Sequence, residues 1–160
     1  MTGASERQRV RALIERAGVA VMMNVDEDGH PVGRPMLPLF LAGDPHIYFL
    51  TNQNSRKVAQ LVARPQVALA IVGAKSFFVV SGPASASQDP GLIRRLWKPS
   101  YRAWFPDGTD DRAATVLRIV VERVEYWEPP RTPLIRLMRA AKAVLTRRPV
   151  ETPRKTLDGL

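Results

Sequence analysis

Apolar residues at helical spacing open the chain. Val10, Leu13, Ile14 and Ala17 recur three and four apart behind Ser5 and Gln8, which form a capping-box start, and Gly18 is a natural stop. The pattern predicts an amphipathic helix over residues 5–17. The period then changes. Residues 19–25 read as a strand, Asp26-Glu27-Asp28-Gly29 supplies turn chemistry, and residues 31–41 read as the second arm of a hairpin. Pro31, Pro35 and Pro38 cannot donate to a ladder, so part of that arm is expected at an edge or bulge with backbone free for a ligand. After a turn at Gly43-Asp44-Pro45, residues 46–51 form a β-branched and aromatic strand. Val58, Leu61 and Val62 mark a helix over 55–63 that Asn52 or Asn54 is placed to cap. Strands are predicted over 66–72 and 76–81, joined at Gly73-Ala74-Lys75, and a last strand over 115–127. Residues 89–111 interrupt the strands with a helical and looped insertion that holds Trp97, Tyr101, Trp104 and Phe105. Such rings either close one end of a core or cover a ligand. Beyond Pro129-Pro130, apolar residues from Leu134 to Leu145 predict one more amphipathic helix, to about Thr146.

Composition narrows the class. A chain of 160 residues, 45% hydrophobic, suits a single domain, and frequent prolines and glycines favour many short elements over a few long helices. The organisation expected is a domain over residues 1–128 followed by a basic helix and tail over 129–160. The chain has no cysteine, which excludes disulfides, thiolate metal sites and a cysteine nucleophile and makes the cytoplasm the expected compartment. No apolar run approaches the roughly 18–20 residues of a membrane span, and the polar first residues do not resemble a signal peptide. The net charge of +9 is concentrated at the C-terminal end, where residues 131–160 carry eight Lys/Arg against Glu151 and Asp158. A basic tail can attract nucleic acid or acidic membrane, but no base-reading motif accompanies it, and a solvated helix face explains it as well.

The chemically informative stretch runs from Tyr48 to Lys57, where a strand ends in a polar loop whose basic residues open a helix. The positive end of a helix dipole and its unpaired N–H groups favour an anion, by about 1 kcal/mol before any side chain contributes. Thr51 and Ser55 can donate hydroxyl protons, and Arg56 and Lys57 can add charge-assisted bonds. Arg34, on the neighbouring hairpin strand, offers another cation on the face shared by Val32 and Met36. These residues fit a phosphate, and equally a solvated helix start that is basic. The acid pairs Asp26/Asp28 and Asp110/Asp111 lie in turns where Asp is favoured for its backbone hydrogen bonds, so no metal site is expected from them. His30 and His46 are isolated, and no catalytic role is expected of either.

Arg34-Pro35-Met36, followed by Thr51-Asn52-x-x-Ser55-Arg56-Lys57, resembles the FMN-phosphate signature of the pyridoxamine 5'-phosphate oxidase-like proteins. The likeness continues through Arg64-Pro65-Gln66-Val67-Ala68-Leu69 and Val80-Ser81-Gly82. Leu96-Trp97-Lys98-Pro99, Ala103-Trp104-Phe105-Pro106-Asp107-Gly108 and Glu125-Tyr126-Trp127 are similar to the bacterial general-stress-protein branch. The resemblance covers residues 5–128 or so. It implies a mainly β fold with flanking helices, a six-stranded antiparallel split β-barrel of the FMN-binding type, and a homodimer with FMN in grooves between subunits. It implies further that Arg34, Ser55 and Lys57 hold the phosphate with Thr51 and Arg56 close by. Pro35, Met36 and Leu50 would lie along the cofactor, and Trp127 would approach it from the second subunit, although a strand-end Trp in the core would look identical. Related barrels also take the deazaflavin F420 or haem. The Arg-x-His pair expected after Trp127 to grip a B6 phosphate is replaced by Glu128-Pro129-Pro130-Arg131, and Ser76-Phe77 stands where an Arg-Gln pair is expected. An oxidoreductase of another substrate is therefore expected, or a flavin-binding stress protein without turnover.

Overall fold

A computed structural model describes residues 3–128 and 154–160. The elements are α1 (Gly3–Ala17), β1 (Ala20–Val25), β2 (Pro31–Met36), β3 (Ile47–Asn52), α2 (Arg56–Ala63), β4 (Gln66–Val72), β5 (Phe77–Ser87), α3 (Pro90–Leu96), β6 (Ala114–Ile119), β7 (Arg123–Trp127) and β8 (Arg154–Asp158). Two short 3-10 helices, Pro99–Ala103 and Gly108–Asp110, complete the insertion between β5 and β6. Every strand pairing is antiparallel. The result is the expected mainly β architecture, an antiparallel sheet curled into a half-barrel with helices on its flanks. Among the described residues no helix is long and apolar enough to cross a membrane.

The curl depends on β5. Its first half pairs with β4 on one side and β7 on the other, with Phe78 opposite Ile71 and Tyr126. Its second half pairs with β6, with Ala84 opposite Ile119, and β6 carries the strand order on to β3. The chain from β6 to β7 crosses at this corner, where Val120 N–H donates to Pro83 O and Glu122 N–H to Ser81 O, both at 3.0 Å. Gly82 is the point of passage. A Cβ built on it would stand 1.8 Å from Val120 O, which no packed structure tolerates.

Three boundaries differ from the sequence pattern. The strand expected over 115–127 is two strands, because Val120–Glu122 turns the corner beside Gly82 and moves from one branch of the sheet to the other. β2 ends at Met36, short of the expected Leu41. Pro38 interrupts it, and Leu39 then makes an isolated bridge to Tyr48, donating at 2.8 Å and accepting at 2.9 Å. β5 runs six residues past Ser81, through Gly82-Pro83, which had read as its end. In addition, β8 joins the outer side of β7, so that the described residues form eight strands against the six expected. The helix expected over 134–146 lies outside the described residues.

Two apolar clusters explain why β3 is buried along both faces rather than alternating. Ile47 and Phe49 face the main core with Ile14 of α1, Met22, Leu69, Phe78, Leu117 and Tyr126. Tyr48 and Leu50 face a second cluster with Leu39, Ile93, Leu96, Tyr101 and Phe105, under the insertion. Each fully buried side chain of this size contributes about 1.5–3 kcal/mol. The strand that leads into the loop at 52–55 is therefore fixed from both sides.

Gly82→Ala is expected to destabilise the protein by at least about 1–3 kcal/mol, since backbone rather than a flexible side chain must yield. Urea denaturation of the variant checks this, and an unchanged midpoint would contradict the corner geometry.

Candidate functional site

β2 and β3 bring the residues singled out in the sequence to one place. Pro35 and Met36 at the end of β2, Leu50 and Thr51 at the end of β3, and Lys57 in the first turn of α2 line one cleft of about 380 Å³. Its other lining residues are Leu37, Asn52 and the insertion's Tyr101, Trp104 and Phe105. Tyr101 and Phe105 are core residues as well as wall, whereas Trp104 is 65% exposed at the mouth. The insertion thus closes an end of the core and covers a cleft at the same time.

The loop between β3 and α2 is shaped by Asn52, whose Oδ1 accepts the Asn54 N–H at 2.8 Å. Neither Asn52 nor Asn54 caps α2, as the sequence had suggested. Ser55 occupies the N-cap position and makes no capping bond with its side chain. Its Oγ is buried and, among the described residues, has no hydrogen-bond partner. A buried hydroxyl without a partner is costly and uncommon, and here it sits at a helix N-terminus beside cations.

Arg34, on β2, and Ser55 are not among the residues that line the cleft. The Arg34 guanidinium donates to Asn24 Oδ1 at 2.7 Å and to Gln60 Oε1 at 2.8 Å. Asn24 Nδ2 donates to Gln60 Oε1 at 3.1 Å, so the two amides form one bracket. Lys57 Nζ donates to Thr51 Oγ1 at 2.6 Å. Every one of these acceptors is neutral. Burial, and then the Arg34 charge, hold the Lys57 ammonium below its usual range. Arg34 is near enough for its charge to act on Lys57, and among the described residues neither has an ion-pair partner.

Arg56 differs. It pairs with Glu27 at 2.6 Å on the surface, and its side chain is 79% exposed. Gln60 donates to the other Glu27 oxygen at 2.7 Å. The bond from Gln60 and then that from Arg56 pull the Glu27 carboxyl down to about 2. Arg56 is therefore already neutralised outside the cleft, whereas Arg34 and Lys57 are not. Trp127 does not line the cleft. It ends β7 opposite Phe77 and Arg154, half-buried.

Asn24, Gln60 and Glu27 were missed in the sequence. A signal existed for Asn24. It falls at an inward position of β1, in step with Ala20 and Met22, where an unpaired amide would be expensive. Gln60 similarly is buried on the core side of α2 between Val58 and Leu61.

The remaining polar clusters are structural. Asp26 Oδ1 accepts the N–H groups of Asp28 and His30 at 3.1 and 2.8 Å, and Asp111 Oδ1 accepts that of Ala113 at 2.9 Å. Asp26, Asp28 and His30 do present ligand atoms within 4.8 Å of one another, but the turn already uses Asp26. His46 and Tyr48 both bind the Asp44 carboxylate, at 2.6 and 2.7 Å.

The cleft and the two cations can be set beside known proteins. The profile of the family described as Pyridoxamine 5'-phosphate oxidase like matches residues 5–151. The general stress FMN/FAD binding protein of Xanthomonas citri is 28% identical, with a TM-score of 0.67 over 80% of this chain and 92% of that one. A putative general stress family protein of Xanthomonas campestris is also 28% identical, with a TM-score of 0.68 over 82% and 93%. A Clostridium acetobutylicum protein related to general stress protein 26 is 18% identical and shares the fold, with a TM-score of 0.72 over 96% and 94%. No curated protein matches by sequence.

Ser55→Ala separates the two uses of a helix-start serine. Loss of a capping serine usually costs about 0.5–2 kcal/mol, but with no cap bond to lose the expected change here is under about 0.5 kcal/mol. Binding of inorganic phosphate should weaken about tenfold, the loss of one hydrogen bond to a charged group. Denaturation and calorimetric titration measure both; a large stability loss with unchanged phosphate binding would make Ser55 merely structural.

Proposed function

The chain belongs to the pyridoxamine 5'-phosphate oxidase-like family, and from this and the cleft we propose that it binds FMN and acts as an oxidoreductase. The observation that carries the reading is two cations, Arg34 and Lys57, near enough to act on one another and without an ion-pair partner among the described residues, together with the buried Ser55 hydroxyl, which has no hydrogen-bond partner among them. A phosphate dianion satisfies all three. It neutralises the two charges, accepts the hydroxyl proton and meets the N-terminal N–H groups of α2. Thr51 then holds Lys57 in place, and Asn24 with Gln60 orients Arg34.

The rest of the cleft suits a flat heteroaromatic ring. Pro35 and Met36 lie on an edge strand, and Tyr101 and Phe105 form an apolar wall that excludes water. FMN, when bound, would supply the redox chemistry, and the protein would supply binding, orientation and backbone electrostatics. Among the described residues the cleft is lined by no carboxylate or imidazole. That also favours a second reading, a general stress protein that holds flavin for storage or redox sensing. Rapid-mixing absorbance of the bound flavin separates them: reduction by a nicotinamide donor followed by reoxidation by an acceptor supports the enzyme, and a silent flavin supports the binder.

We further propose a homodimer in which Trp127 contributes from the partner. The outward face of the sheet is apolar across four strands: Val21 lies opposite Ala70, Ala70 opposite Val79, and Val72 opposite Phe77, itself opposite Trp127. Phe77 is 56% exposed. Val21 also pairs with Pro35 of the cleft, so this face runs up to the cofactor site. A second copy related by a twofold axis would cover a like face with a like face. Light scattering should give twice 17.8 kDa, and a monomer would overturn the assembly. The cytoplasm is the compartment that suits a cysteine-free chain of this kind.

Titration of the purified chain with FMN and with riboflavin tests the central reading. FMN should bind at least about tenfold more tightly, one charge-assisted contact being worth about that much. Arg34→Ala with Lys57→Ala should abolish the difference. Equal affinity for the two ligands would show that no phosphate site exists.

A further inference from the structure

A second, larger cavity of about 660 Å³ lies between α1, the loop 38–43 and the end of α3. It shares no lining residue with the cleft described above. Leu39, Phe40, Leu41, Leu96 and Trp97 give it an apolar floor with two aromatic surfaces. Arg11, Arg95 and Lys98 stand on its rim with a single carboxylate, Glu15. Glu15 is spent on Arg11 at 2.9 Å, and Arg11 further donates to Leu41 O at 3.0 Å and to Asp44 O. The Arg11 guanidinium also lies over the Phe40 ring, 5.5 Å from its centroid, which fixes one aromatic wall.

Arg95 and Lys98 are left over. They are exposed, three residues apart at the end of α3, and have no ion-pair partner among the described residues. We infer that this cavity is a second ligand site, for a small aromatic carboxylate whose ring lies against Phe40 and Trp97 and whose anion meets Arg95 and Lys98. The volume falls within the roughly 300–1,000 Å³ of small-molecule sites, and a few polar groups over an apolar floor is their usual construction. A guanidinium matches a carboxylate with two parallel bonds, and the flanking rings select a flat body. The site does not depend on the flavin reading.

The Trp97 ring also touches the other cleft's wall, with its centroid 5.9 Å from that of Tyr101 and 6.2 Å from that of Phe105. The two cavities are thus back to back across one aromatic cluster.

Titrating the full chain with 2-naphthoate by calorimetry, first alone and then with saturating FMN, tests the assignment. One saturable site per chain is expected under both conditions. Affinity should fall about tenfold or more in Arg95→Ala with Lys98→Ala and for the neutral isostere 2-naphthamide, as expected for a lost charge-assisted bond. Both replaced side chains are exposed, and circular dichroism confirms the variant's fold. Lys57→Ala should leave naphthoate binding unchanged. Absence of saturable binding, equal affinity in the double variant, or loss of binding in Lys57→Ala or with FMN would each overturn the inference, the last two by placing the ligand in the other cleft. Failure of FMN itself to bind would bear on the flavin reading alone, because the titration without FMN stands separately.

Discussion

Arg34 and Lys57 come from different elements, β2 and α2, and lie near enough for their charges to interact, with no ion-pair partner for either among the described residues. Like charges in a partly desolvated space repel, so the arrangement costs stability unless an anion is present. Much of the surrounding fold serves to maintain it. β3 is clamped between two apolar clusters and delivers Thr51 to Lys57. Two amides buried among apolar neighbours, Asn24 and Gln60, fix the guanidinium. Glu27, which could have neutralised the site, is occupied outside it by Arg56 and Gln60. The Ser55 hydroxyl, at the start of α2, is left without a partner among the described residues. A structure optimised for stability alone would have placed an acid there; strain of this kind is characteristic of a binding site.

The elements that make the site were largely legible in the sequence, for physical reasons that apply locally. The first hairpin has turn residues between alternating strands, α2 has a clear apolar stripe, and β4 is bounded where its pattern predicts, at Gln66 and Val72. What was not legible depends on contacts made across the fold. Nothing in Arg118-Ile119-Val120-Val121-Glu122-Arg123 resembles a turn; only the backbone approach to Gly82 shows that the chain must bend there. Gly82-Pro83 reads as a strand end, yet β5 continues because β6 supplies a new partner at that point. The bracket around Arg34 was hidden because an Asn in a strand and a Gln in a helix are ordinary residues until their partners are known. The cations themselves were visible, but sequence could not tell that Arg56 is neutralised and Lys57 is not.

The insertion after β5 joins the two cavities. Tyr101 and Phe105 complete the second core cluster and wall the cleft, and Trp97 carries the same stack to the larger cavity beyond. A single aromatic cluster therefore supports the barrel end, shields one ligand site and floors another. This economy explains why so many of the rings sit in one short segment.

The central claim is that Arg34 and Lys57 await a phosphate. Its most direct measurement is the titration of Lys57 itself, followed by NMR at its labelled Cε carbon. In the ligand-free chain the ammonium should lose its proton below the ordinary value of 10.5, because burial and Arg34 disfavour its charge. A pKa lowered by folding means that the unfolded chain holds more protons just below 10.5, so this group's penalty is present at neutral pH and is relieved as pH rises. FMN should reverse the shift and move Lys57 above 10.5, while riboflavin, which has the ring but no phosphate, should leave it low. A Lys57 that titrates normally in the free chain, or that responds alike to FMN and riboflavin, would contradict the account.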